Sequence, residues 1–505
     1  MAVPSTIGVV GAGTMGAGIA QLAGQAGART LLHDPDPDAL EQGIADIASR
    51  LERSAAKGRI TDPEAAAVRE RIEPAPDLDA LAPCDLVIEA APERLELKLE
   101  LFGRLAQITA ADCVLATNTS SLSVTEIGAG TPGPERVVGL HFFNPAPVMR
   151  LVEVVPGAET AATAVATARA AGEAMGKRVI DAADIPGFLV NRVNRPFSLE
   201  ALRILQGRGA TVEQIDRVAR LAGGFRMGPF ELMDLIGIDT NHAVAEAFYR
   251  QSYGEPRYRP SPLAARKVAA GTLGRKTGRG WYAYRGGDDH RPADPAPLER
   301  GGGDARPVAV SGAGPTADAL RGGLTEAGFA VTDPGDPWLS IDCGGDPVQS
   351  AHRLVLLDRG SLHHLDPEAA GFFVWPPLRD GGLIELATTA RTSAETTDRV
   401  RRLVSALGQH HEEVADGPGL VLGRIVSQLV NEAAFLIGEG NGTAEDIDAG
   451  MELGVNHPRG PVEWSRSLGL PAVLAILDAL HGELGEERYR AAPLLRRQVD
   501  LGAGI

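Results

Sequence analysis

The sequence predicts an α/β fold: a Rossmann-like, doubly wound sheet, then an all-helical domain, then a degenerate second copy of both. Three observations support this prediction. Short apolar runs alternate with helical patterns over residues 1–185, the pattern is purely helical over residues 186–285, and residues 307–505 repeat features of the part before them. Strands that alternate with helices are typical of a parallel sheet covered on both faces.

The first domain, residues 1–185, is predicted from its apolar runs and from the helical patterns between them. The runs predict buried strands at Ile7–Val10, Thr30–Leu32, Leu86–Ile88, Val114–Thr117 and Val137–Leu140. The patterns predict helices at Gly16–Ala26, Asp38–Lys57 and Pro63–Ile72, of which the last two form a hairpin-like insertion.

At 505 residues the chain is too long for one ordinary core, so several domains are expected. After the helical domain at residues 186–285, a stretch rich in Gly, Pro and Asp at residues 286–306 predicts an exposed linker. A shortened Rossmann-like domain is predicted at residues 307–415 and a second helical domain at residues 416–505. We call residues 1–285 the first copy and residues 307–505 the second copy.

The duplication is clearest in the helical part, where residues 186–237 align without a gap on residues 418–469. A chance similarity would not stay in one ungapped alignment over such a length, with matches at residues that others cannot easily replace. The second copy is predicted to lack the insertion near residues 41–80. The matching pairs are Pro186-Gly187 with Pro418-Gly419, Arg192 with Arg424, Glu200-Ala201 with Glu432-Ala433, Ile215-Asp216 with Ile447-Asp448, and Gly228-Pro229 with Gly460-Pro461.

Composition argues against several classes of partner. A formal net charge of −17 disfavours nucleic acid and anionic membranes as general partners. No apolar run approaches the ~20 residues of a membrane-spanning helix, and the first residues lack the pattern of a secretory signal. The three cysteines are scattered without paired or metal-like spacing, which suits a reducing compartment. These features predict a cytoplasmic protein without a metal site.

A glycine-rich turn, Gly11-Ala-Gly13-Thr14-Met15-Gly16, follows the first strand and opens the first helix. Its glycines allow a tight turn, backbone approach to a pyrophosphate and close helix–strand packing, and the helix N-terminus offers free N–H groups. Asp34 ends the second strand, where an acid hydrogen-bonds a ribose 2′-hydroxyl and repels a 2′-phosphate. The turn therefore predicts NAD rather than NADP. A flavin site, or a turn without a nucleotide, is the alternative.

A histidine and a glutamate follow where a nicotinamide ring is expected. His141 comes directly after the fifth strand, and ligands of doubly wound sheets bind beyond the carboxyl ends of the strands. Two prolines then turn the chain toward a strand at Leu151–Val155 that carries Glu153. Two strands joined in this way are expected to set the imidazole and the carboxylate side by side.

Alcohol oxidation needs such a pair, because a hydride leaves to the nicotinamide and a proton leaves to a base. Histidine, with an unperturbed pKa of ~6.5, is a natural base. A carboxylate on its other nitrogen fixes the tautomer and stabilises the imidazolium. The alternative is structural: His141 as a hydrogen-bonded core residue and Glu153 as a solvated strand residue.

Several motifs resemble the 3-hydroxyacyl-CoA dehydrogenase family, in order over residues 5–285. The resemblance implies NAD-dependent oxidation of an L-3-hydroxyacyl-CoA to the 3-ketoacyl-CoA in fatty-acid or aromatic-acid catabolism. The tandem arrangement resembles a long bacterial form associated with phenylacetate-like catabolism. The motifs are Asn118-Thr-Ser-Ser-Leu122, His141-Phe-Phe-Asn-Pro-Ala-Pro-Val-Met149, Leu151-Val-Glu-Val154, Pro186-Gly-Phe-Leu-Val-Asn-Arg192, Met227-Gly-Pro-Phe-Glu-Leu-Met-Asp234 and Gly274-Arg-Lys-Thr-Gly-Arg-Gly-Trp-Tyr282.

The resemblance also implies roles for individual residues. From the residues alone, Ser120 is alternatively a helix cap, Asn191 a link between helices and Lys98 a solvated helix residue. The implied catalytic residues are the base His141, its orienting partner Glu153, the substrate-binding Ser120, and Asn191, which helps hold the reacting groups. The implied contacts on the nicotinamide side of the cofactor are Glu93, Lys98, Asn144 and Lys276.

The acyl-CoA substrate is expected in the cleft between the first two domains, a common place for small-molecule sites. Lys57, with Arg53 and Arg59, lies at the tip of the insertion. It is expected to meet the CoA phosphates, the alternative being a plain soluble helix end.

The second copy is expected to do no chemistry and to support the first, with its helices in place of those of a second subunit. Gly314-Pro315 leads on without a third glycine, Gly371-Phe-Phe-Val-Trp-Pro-Pro377 has no histidine, and Gly423 aligns with Asn191, although Glu385 is retained. A dehydrogenase of a free hydroxy or sugar acid, or a redox-inactive NAD-binding protein, is the alternative function. The duplication predicts either a monomer that mimics a dimer or a homodimer of duplicated chains.

Overall fold

The structure is a computed structural model that describes residues 3–284, 290–332, 336–346, 348 and 350–505. It divides into two compact units. Unit 1 comprises Met1–Arg192 and Asn441–Val455, and unit 2 comprises Val193–Gly440 and Asn456–Ile505. Unit 1 therefore includes one segment of the second copy.

The first sheet lies in unit 1, and its strands are β1 Thr6–Val10, β2 Arg29–His33, β3 Ile72–Pro74, β4 Leu86–Glu89, β5 Val114–Thr117, β6 Val137–Phe142, β7 Leu151–Pro156 and β8 Arg178–Asp181. Among the described residues, these strands form one sheet in the order β3-β2-β1-β4-β5-β6-β7-β8. All neighbours are parallel except β6 and β7. The sheet is nearly all buried, as expected where helices cover both faces.

Helices connect these strands and cover the sheet. They confirm the predicted α/β class, and the predicted insertion is a pair of helices between β2 and β3. Leu40, Ile47 and Leu51 bury one face of the first of this pair. The helices are α1 Thr14–Gln25, α2 Pro37–Ala56, α3 Asp62–Glu70, α4 Leu95–Ile108, α5 Val124–Ala129 and α6 Ala162–Ala174.

The first helical region follows β8, as the change of pattern after Pro186 predicts. Its first helix begins in unit 1, and the rest of the region belongs to unit 2. The helices are α7 Val190–Gln206, α8 Val212–Leu221, α9 Pro229–Ile236, α10 Ile238–Gln251 and α11 Pro262–Ala269.

The second sheet lies in unit 2, and its elements are β9 Pro307–Ser311, α12 Pro315–Glu326, β10 Ala330–Thr332, β11 Leu339–Asp342, β12 Arg353–Leu356, α13 Leu362–Leu365, β13 Ala370–Phe373, β14 Leu383–Ala387, α14 Ala394–Ala406 and β15 His410–Glu413. The strand order is β10-β9-β11-β12-β13-β14-β15, and only β13 and β14 are antiparallel. Within the described ranges, the second copy has no helices matching α2, α3 or α4. The predicted loss of the insertion is therefore seen, and it extends to α4.

The second helical region consists of α15 Leu422–Gly438, α16 Ala444–Val455, α17 Pro461–Leu468, α18 Leu470–Leu484 and α19 Pro493–Leu501. Every helix and strand from β6 to α11 has a counterpart close to 232 positions later in the chain. For example, α6 at Ala162–Ala174 matches α14 at Ala394–Ala406. The repeat therefore keeps register well beyond the ungapped stretch that the sequence reveals.

One helix of each copy packs on the sheet of the other copy. In unit 1, α16 lies against β7 and β8: a Cβ added to Gly450 would lie 3.4 Å from a side-chain atom of Ile180. In unit 2, α8 lies against the end of the second sheet, where the Gln214 amide donates to the Glu413 carbonyl at 2.8 Å. The two copies are thus interleaved in sequence within each unit.

The predicted linker is tied to unit 2 where the structure describes it. Residues 285–289 lie outside the described residues, and residues 290–306 form neither helix nor strand. Asp294 forms an ion pair with Arg220 at 2.7 Å, and Arg291 forms one with Glu231 at 2.8 Å.

No single helix among the described residues is long and apolar enough to cross a membrane. One consecutive pair, α17 and α18, meets the length and composition requirements when taken together, but the two helices are bent by 98° to each other.

Candidate active site

A cavity of about 730 Å³ lies at the carboxyl ends of β1 and β2 and is lined by the glycine-rich turn, including Thr14 and Met15. Gly11 has a φ of +101°, and an added Cβ would lie 2.6 Å from the Ala90 carbonyl oxygen. A Cβ on Gly16 would lie 1.7 Å from the Gly11 carbonyl oxygen, whereas one on Gly13 would meet no atom within 4 Å. The first and third glycines are thus required by packing, and the second leaves the backbone open toward a ligand.

Asp34 borders the same cavity. Its Oδ2 accepts the N–H of Ala12 at 2.8 Å, and its Oδ1 accepts the N–H of Asp36 at 3.0 Å. These bonds fix the carboxylate next to the glycine turn. An ionised carboxylate has further lone pairs, so Asp34 can still accept a ribose hydroxyl. The site fits a dinucleotide with an unphosphorylated 2′-hydroxyl.

His141 and Glu153 are directly paired. They lie opposite each other in the antiparallel β6–β7 pair, and Nδ1 of His141 is 2.6 Å from Oε2 of Glu153. Both side chains are buried, with His141 5% and Glu153 0% exposed. Nε2 of His141 makes no hydrogen bond to any described residue, and its ring packs on Phe143 and Phe188. The imidazole is thus held at one nitrogen and available at the other.

Glu153 also holds the start of α7. Its Oε1 accepts the backbone N–H groups of Leu189 at 3.1 Å and Val190 at 2.9 Å. These N–H groups lie in the first turn of the helix, where donors lack partners within the helix. The next residue is Asn191, which is half-buried. One carboxylate therefore links His141 to the helix that carries Asn191.

A second carboxylate organises the loop after β5. Oε1 of Glu93 accepts the backbone N–H of Ser120 at 3.0 Å and the Ser121 hydroxyl at 2.9 Å. Burial would raise the pKa of Glu93, but the Lys98 ammonium and the hydrogen bonds from Thr119 and Ser121 hold it below its usual value. The Ser120 hydroxyl bonds to nothing in the described part of the chain, so it is available to a substrate oxygen.

Lys98 is a buried residue of α4. It is 1% exposed, and its Nζ lies 2.5 Å from Glu89 and 3.4 Å from Glu93. The alternative of a solvated helix lysine is therefore wrong. Lys98 therefore lies next to the Glu93 carboxylate and stabilises its negative charge.

The other predicted contact residues of cofactor and substrate are Asn144, Lys276 and Lys57. Asn144 is exposed in the turn after β6, where it forms a cis peptide bond with Pro145. Lys276 belongs to unit 2 and forms an ion pair with Asp239 at 2.6 Å. Lys57 is exposed at the C-terminal end of α2.

The second copy reproduces the β6–β7 arrangement with a different side chain. Phe373 lies opposite Glu385 in the antiparallel β13–β14 pair. Glu385 accepts the N–H groups of Val421 at 2.7 Å and Leu422 at 3.0 Å, as Glu153 does in the first copy. A Cβ on Gly423 would lie 2.8 Å from the Phe373 ring, so this ring fills the space beside α15.

Sequence reasoning missed this register in the second copy. It identified the motif without a histidine, but it did not align Phe373 with His141 or find a structural reason for Glu385. The constant spacing was the available signal: Phe373 follows His141 by 232 positions, as Glu385 follows Glu153. That signal is weak because so few residues are identical between the two copies before Pro186.

One group of possible metal ligands occurs among the described residues, outside the active site. Donor atoms of His363, His364 and Glu483 lie within 4.8 Å of one another. His363 is 2.9 Å from Asp416, His364 is 3.2 Å from Glu483, and both acids also accept backbone N–H groups around the start of α13. Helix capping and ordinary ion pairs account for this group.

Comparisons with known proteins identify the family of the chain. The family model of the 3-hydroxyacyl-CoA dehydrogenase NAD-binding domain matches residues 6–185, and that of the C-terminal domain of the same family matches residues 187–284 and 419–504. An Escherichia coli relative named 3-hydroxyadipyl-CoA dehydrogenase is 37% identical over 99% of this chain and 98% of its own length. A Bacillus subtilis relative named probable 3-hydroxybutyryl-CoA dehydrogenase is 42% identical over 55% of this chain and 96% of its own length.

One solved structure is similar to this chain over nearly its full length. It is named 3-hydroxybutyryl-CoA dehydrogenase from Escherichia coli, is 36% identical, has a TM-score of 0.86 and matches over 99% of both chains. The similarity therefore includes the second copy as well as the first. The chain belongs to the 3-hydroxyacyl-CoA dehydrogenase family and is an NAD-dependent enzyme of that family.

Proposed function

We propose that His141 is the catalytic base of this enzyme, with Glu153 as its orienting partner. The observation that carries the proposal is the 2.6 Å bond from Nδ1 of His141 to Glu153, which leaves Nε2 without a partner among the described residues. Because a carboxylate only accepts hydrogen bonds, the neutral ring is proposed to carry its proton on Nδ1 and its lone pair on Nε2. A base in this state accepts a proton directly from an alcohol.

The proposed roles of the cofactor and of the site residues in the reaction are as follows. Bound NAD supplies the acceptor for the hydride that leaves C3 of the substrate. Nε2 of His141 takes the hydroxyl proton, and the Glu153 carboxylate stabilises the resulting imidazolium. The Ser120 hydroxyl donates a hydrogen bond to the substrate oxygen, and Asn191 helps hold the reacting groups. The proton and the hydride both leave the alcohol, which becomes the ketone.

For the cofactor, Asp34 is proposed to accept the adenine ribose 2′-hydroxyl, and Gly11, Gly13 and Gly16 to admit the pyrophosphate. Thr14 and Met15 border the same cavity. Glu93 is proposed to lie on the nicotinamide side, with Lys98 beneath it. Asn144 and Lys276 are retained as proposed cofactor contacts, and Lys57 as a proposed contact of the CoA phosphates.

For the substrate, we propose a 3-hydroxyacyl-CoA with a terminal carboxylate, such as 3-hydroxyadipyl-CoA. The support is the similarity over the full length of both copies to the relative of that name. The second candidate is 3-hydroxybutyryl-CoA, favoured by the name of the solved structure that matches over 99% of both chains.

A steady-state panel of 3-hydroxyacyl-CoA esters separates these candidates. We expect kcat/KM for 3-hydroxyadipyl-CoA to exceed that for 3-hydroxybutyryl-CoA by about tenfold or more, the value of one charge-assisted hydrogen bond. A monocarboxylic ester of the same chain length, 3-hydroxyhexanoyl-CoA, is the matched control. Equal rates for the two six-carbon esters would contradict recognition of the carboxylate.

The domain boundaries, the cellular location, the pathway and the oligomeric state are also proposals. Domains at residues 1–185, 186–285 and 416–505 are supported by the ranges of the two family models. The proposed domain at residues 307–415 is supported by the second sheet, and the proposed linker at residues 286–306 by the lack of helix and strand at residues 290–306. We also propose that the chain is a cytoplasmic enzyme of fatty-acid or aromatic-acid catabolism, active as a monomer or a homodimer. Light scattering tests the oligomeric state, and growth of a deletion strain on phenylacetate tests the pathway.

A further inference from the structure

Lys177 is a buried lysine to which the proposed mechanism assigns no role. It directly precedes β8 and is 8% exposed. Its Nζ donates to the carbonyl of Ala146 at 2.7 Å and to the carbonyl of Met149 at 2.7 Å. No carboxylate of a described residue forms an ion pair with it. Burial lowers the pKa of Lys177 to about 8.

The two carbonyls belong to the turn that joins β6 to β7. This turn contains Pro145 and Pro147, which have no N–H group to donate. Its internal bonds use only the Pro145 carbonyl, which accepts the N–H groups of Val148 at 2.9 Å and Met149 at 3.1 Å. A buried carbonyl without a partner is costly, and the lysine supplies a donor to the carbonyls of Ala146 and Met149.

The turn lies between the two parts of the site. On one side it continues directly from β6, which carries His141. On the other side it packs on α1, the helix that begins at the glycine-rich turn. A Cβ on Gly18 would lie 2.9 Å from Pro147 and 3.3 Å from the Ala146 side chain. A shift of the turn would therefore move the end of β6 relative to the dinucleotide helix.

The second copy contains a neutral version of the same contact. Gln409, which follows Lys177 by 232 positions, is 1% exposed and donates to the Arg379 carbonyl at 2.7 Å. That carbonyl belongs to the equivalent turn between β13 and β14. In the copy that has Phe373 in place of His141, one hydrogen bond from an amide, to the residue that matches Pro147, thus replaces two from an ammonium.

We propose that Lys177 is a positioning residue: by binding the two carbonyls of the β6–β7 turn, it sets the spacing between His141 and the dinucleotide-binding helix. The proposal rests on the catalytic role proposed for His141. It assigns Lys177 no contact with substrate or cofactor.

The test compares Lys177→Met, Lys177→Gln and Lys177→Arg in the full-length chain. Lys177→Met removes both donors at nearly constant length. We expect its kcat/KM to fall roughly tenfold or more, since small displacements of reacting groups are costly, and its Kd for NADH to rise several-fold. Lys177→Gln restores one bond, as in the second copy, and Lys177→Arg restores two donors, so activity should recover partly in the former and further in the latter.

The matched control is Gln409→Met, which removes the equivalent bond in the second copy. It should lower the melting temperature, because a buried carbonyl loses its donor, without changing kcat or the Kd for NADH. If Lys177→Met lowers only the melting temperature, or if Lys177→Arg recovers nothing, the positioning role is wrong. Failure of the proposed function is distinguishable, because it would appear as unchanged turnover of His141→Gln whatever the Lys177 variants do.

Discussion

The β6–β7 pair of the first copy and the β13–β14 pair of the second have the same backbone arrangement but different chemistry. In both, a buried glutamate accepts two N–H groups at the start of a long helix. The residue opposite is His141 in one and Phe373 in the other. The glutamate therefore has two separable functions. It connects a strand to a helix in both copies, and in the first copy alone it also binds an imidazole, which is the proposed base.

This comparison explains why Glu385 persists without a histidine. Its carboxyl group satisfies the N–H groups of Val421 and Leu422, which would otherwise be buried without partners. In the first copy the same connection fixes Asn191 relative to His141. In the second copy Gly423 takes the position of Asn191, and the Phe373 ring fills the space. The two copies thus differ in side chains within the same backbone arrangement, and we expect the second copy to lack activity for that reason.

The helices that pack on the two sheets, α16 on the first and α8 on the second, differ in the size of their side chains at matching positions. Helix α16 presents Gly450 and Gly454 to the first sheet, and an added Cβ on Gly454 would lie 2.8 Å from Leu151 and 3.4 Å from Phe143. The corresponding residues of α8, 232 positions earlier, are Val218 and Ala222. Helix α16 thus lies close to the pair of His141 and Glu153, since Phe143 packs on His141 at 4.7 Å between ring centroids.

The largest expected effect is that of His141→Gln. Because this change removes the base but leaves the dinucleotide cavity, kcat should fall by about 10²–10⁴-fold with the Kd for NADH unchanged. Single-turnover kinetics and NADH fluorescence measure the two quantities. Phe373→His in the second copy is the control and should add no activity. Unchanged turnover of His141→Gln would remove this residue from the mechanism.

Glu153→Gln separates the two functions of the glutamate. The amide oxygen still accepts the N–H groups of Leu189 and Val190, but the amide nitrogen donates to Nδ1 of His141 and so forces the ring proton onto Nε2. We expect kcat to fall by about 10²-fold, the lower range for a positioned base, with little change in melting temperature. Glu385→Gln should leave kcat intact. Loss of kcat in both variants would contradict the division of functions.

Gly454→Ala tests the contribution of α16. An alanine normally stabilises an exposed helix position by about 0.5–1 kcal/mol over glycine, and Gly482→Ala should do so because no atom lies within 4 Å of its added Cβ. At Gly454 the contact with Leu151 should reverse the sign and destabilise by about 1–3 kcal/mol. Chemical denaturation measures both. A several-fold loss of kcat at Gly454→Ala alone would show that Phe143 has moved.

The prediction with the smallest expected effect on activity concerns the pH dependence of stability. Burial raises the pKa of Glu385 to about 8, from the ordinary value of 4.5. The folded chain therefore holds this proton between about pH 4.5 and 8 while the unfolded chain releases it, so this group makes stability fall as the pH rises through that range. Glu385→Gln removes this contribution.

The measurement is the melting temperature of Glu385→Gln minus that of the wild type, which should increase from pH 5 to pH 8. The exposed Glu159→Gln is the control and should show no such trend. A difference that stays constant with pH would mean that Glu385 is already ionised in the folded chain.

Much of the first site is predictable from sequence because its signals are local. The glycine turn, Asp34 and the alternation that faces His141 toward Glu153 all follow from short segments with fixed geometry. Contacts between distant segments are not encoded in this way. The burial of Lys98 against two acids, and the bonds from Lys177 to a turn some thirty residues earlier, depend on tertiary packing that single-residue patterns do not reveal.

Because α8 and α16 each pack on the sheet of the other copy, cleavage of the linker is not expected to separate the two copies. A protease cut between residues 291 and 306 yields two pieces, each of which supplies segments to both compact units. The pieces should therefore stay together after cleavage and separate only on denaturation. A nicked chain that runs as one species on a sizing column, and as two on a denaturing gel, would be the visible sign that neither copy is a self-sufficient body.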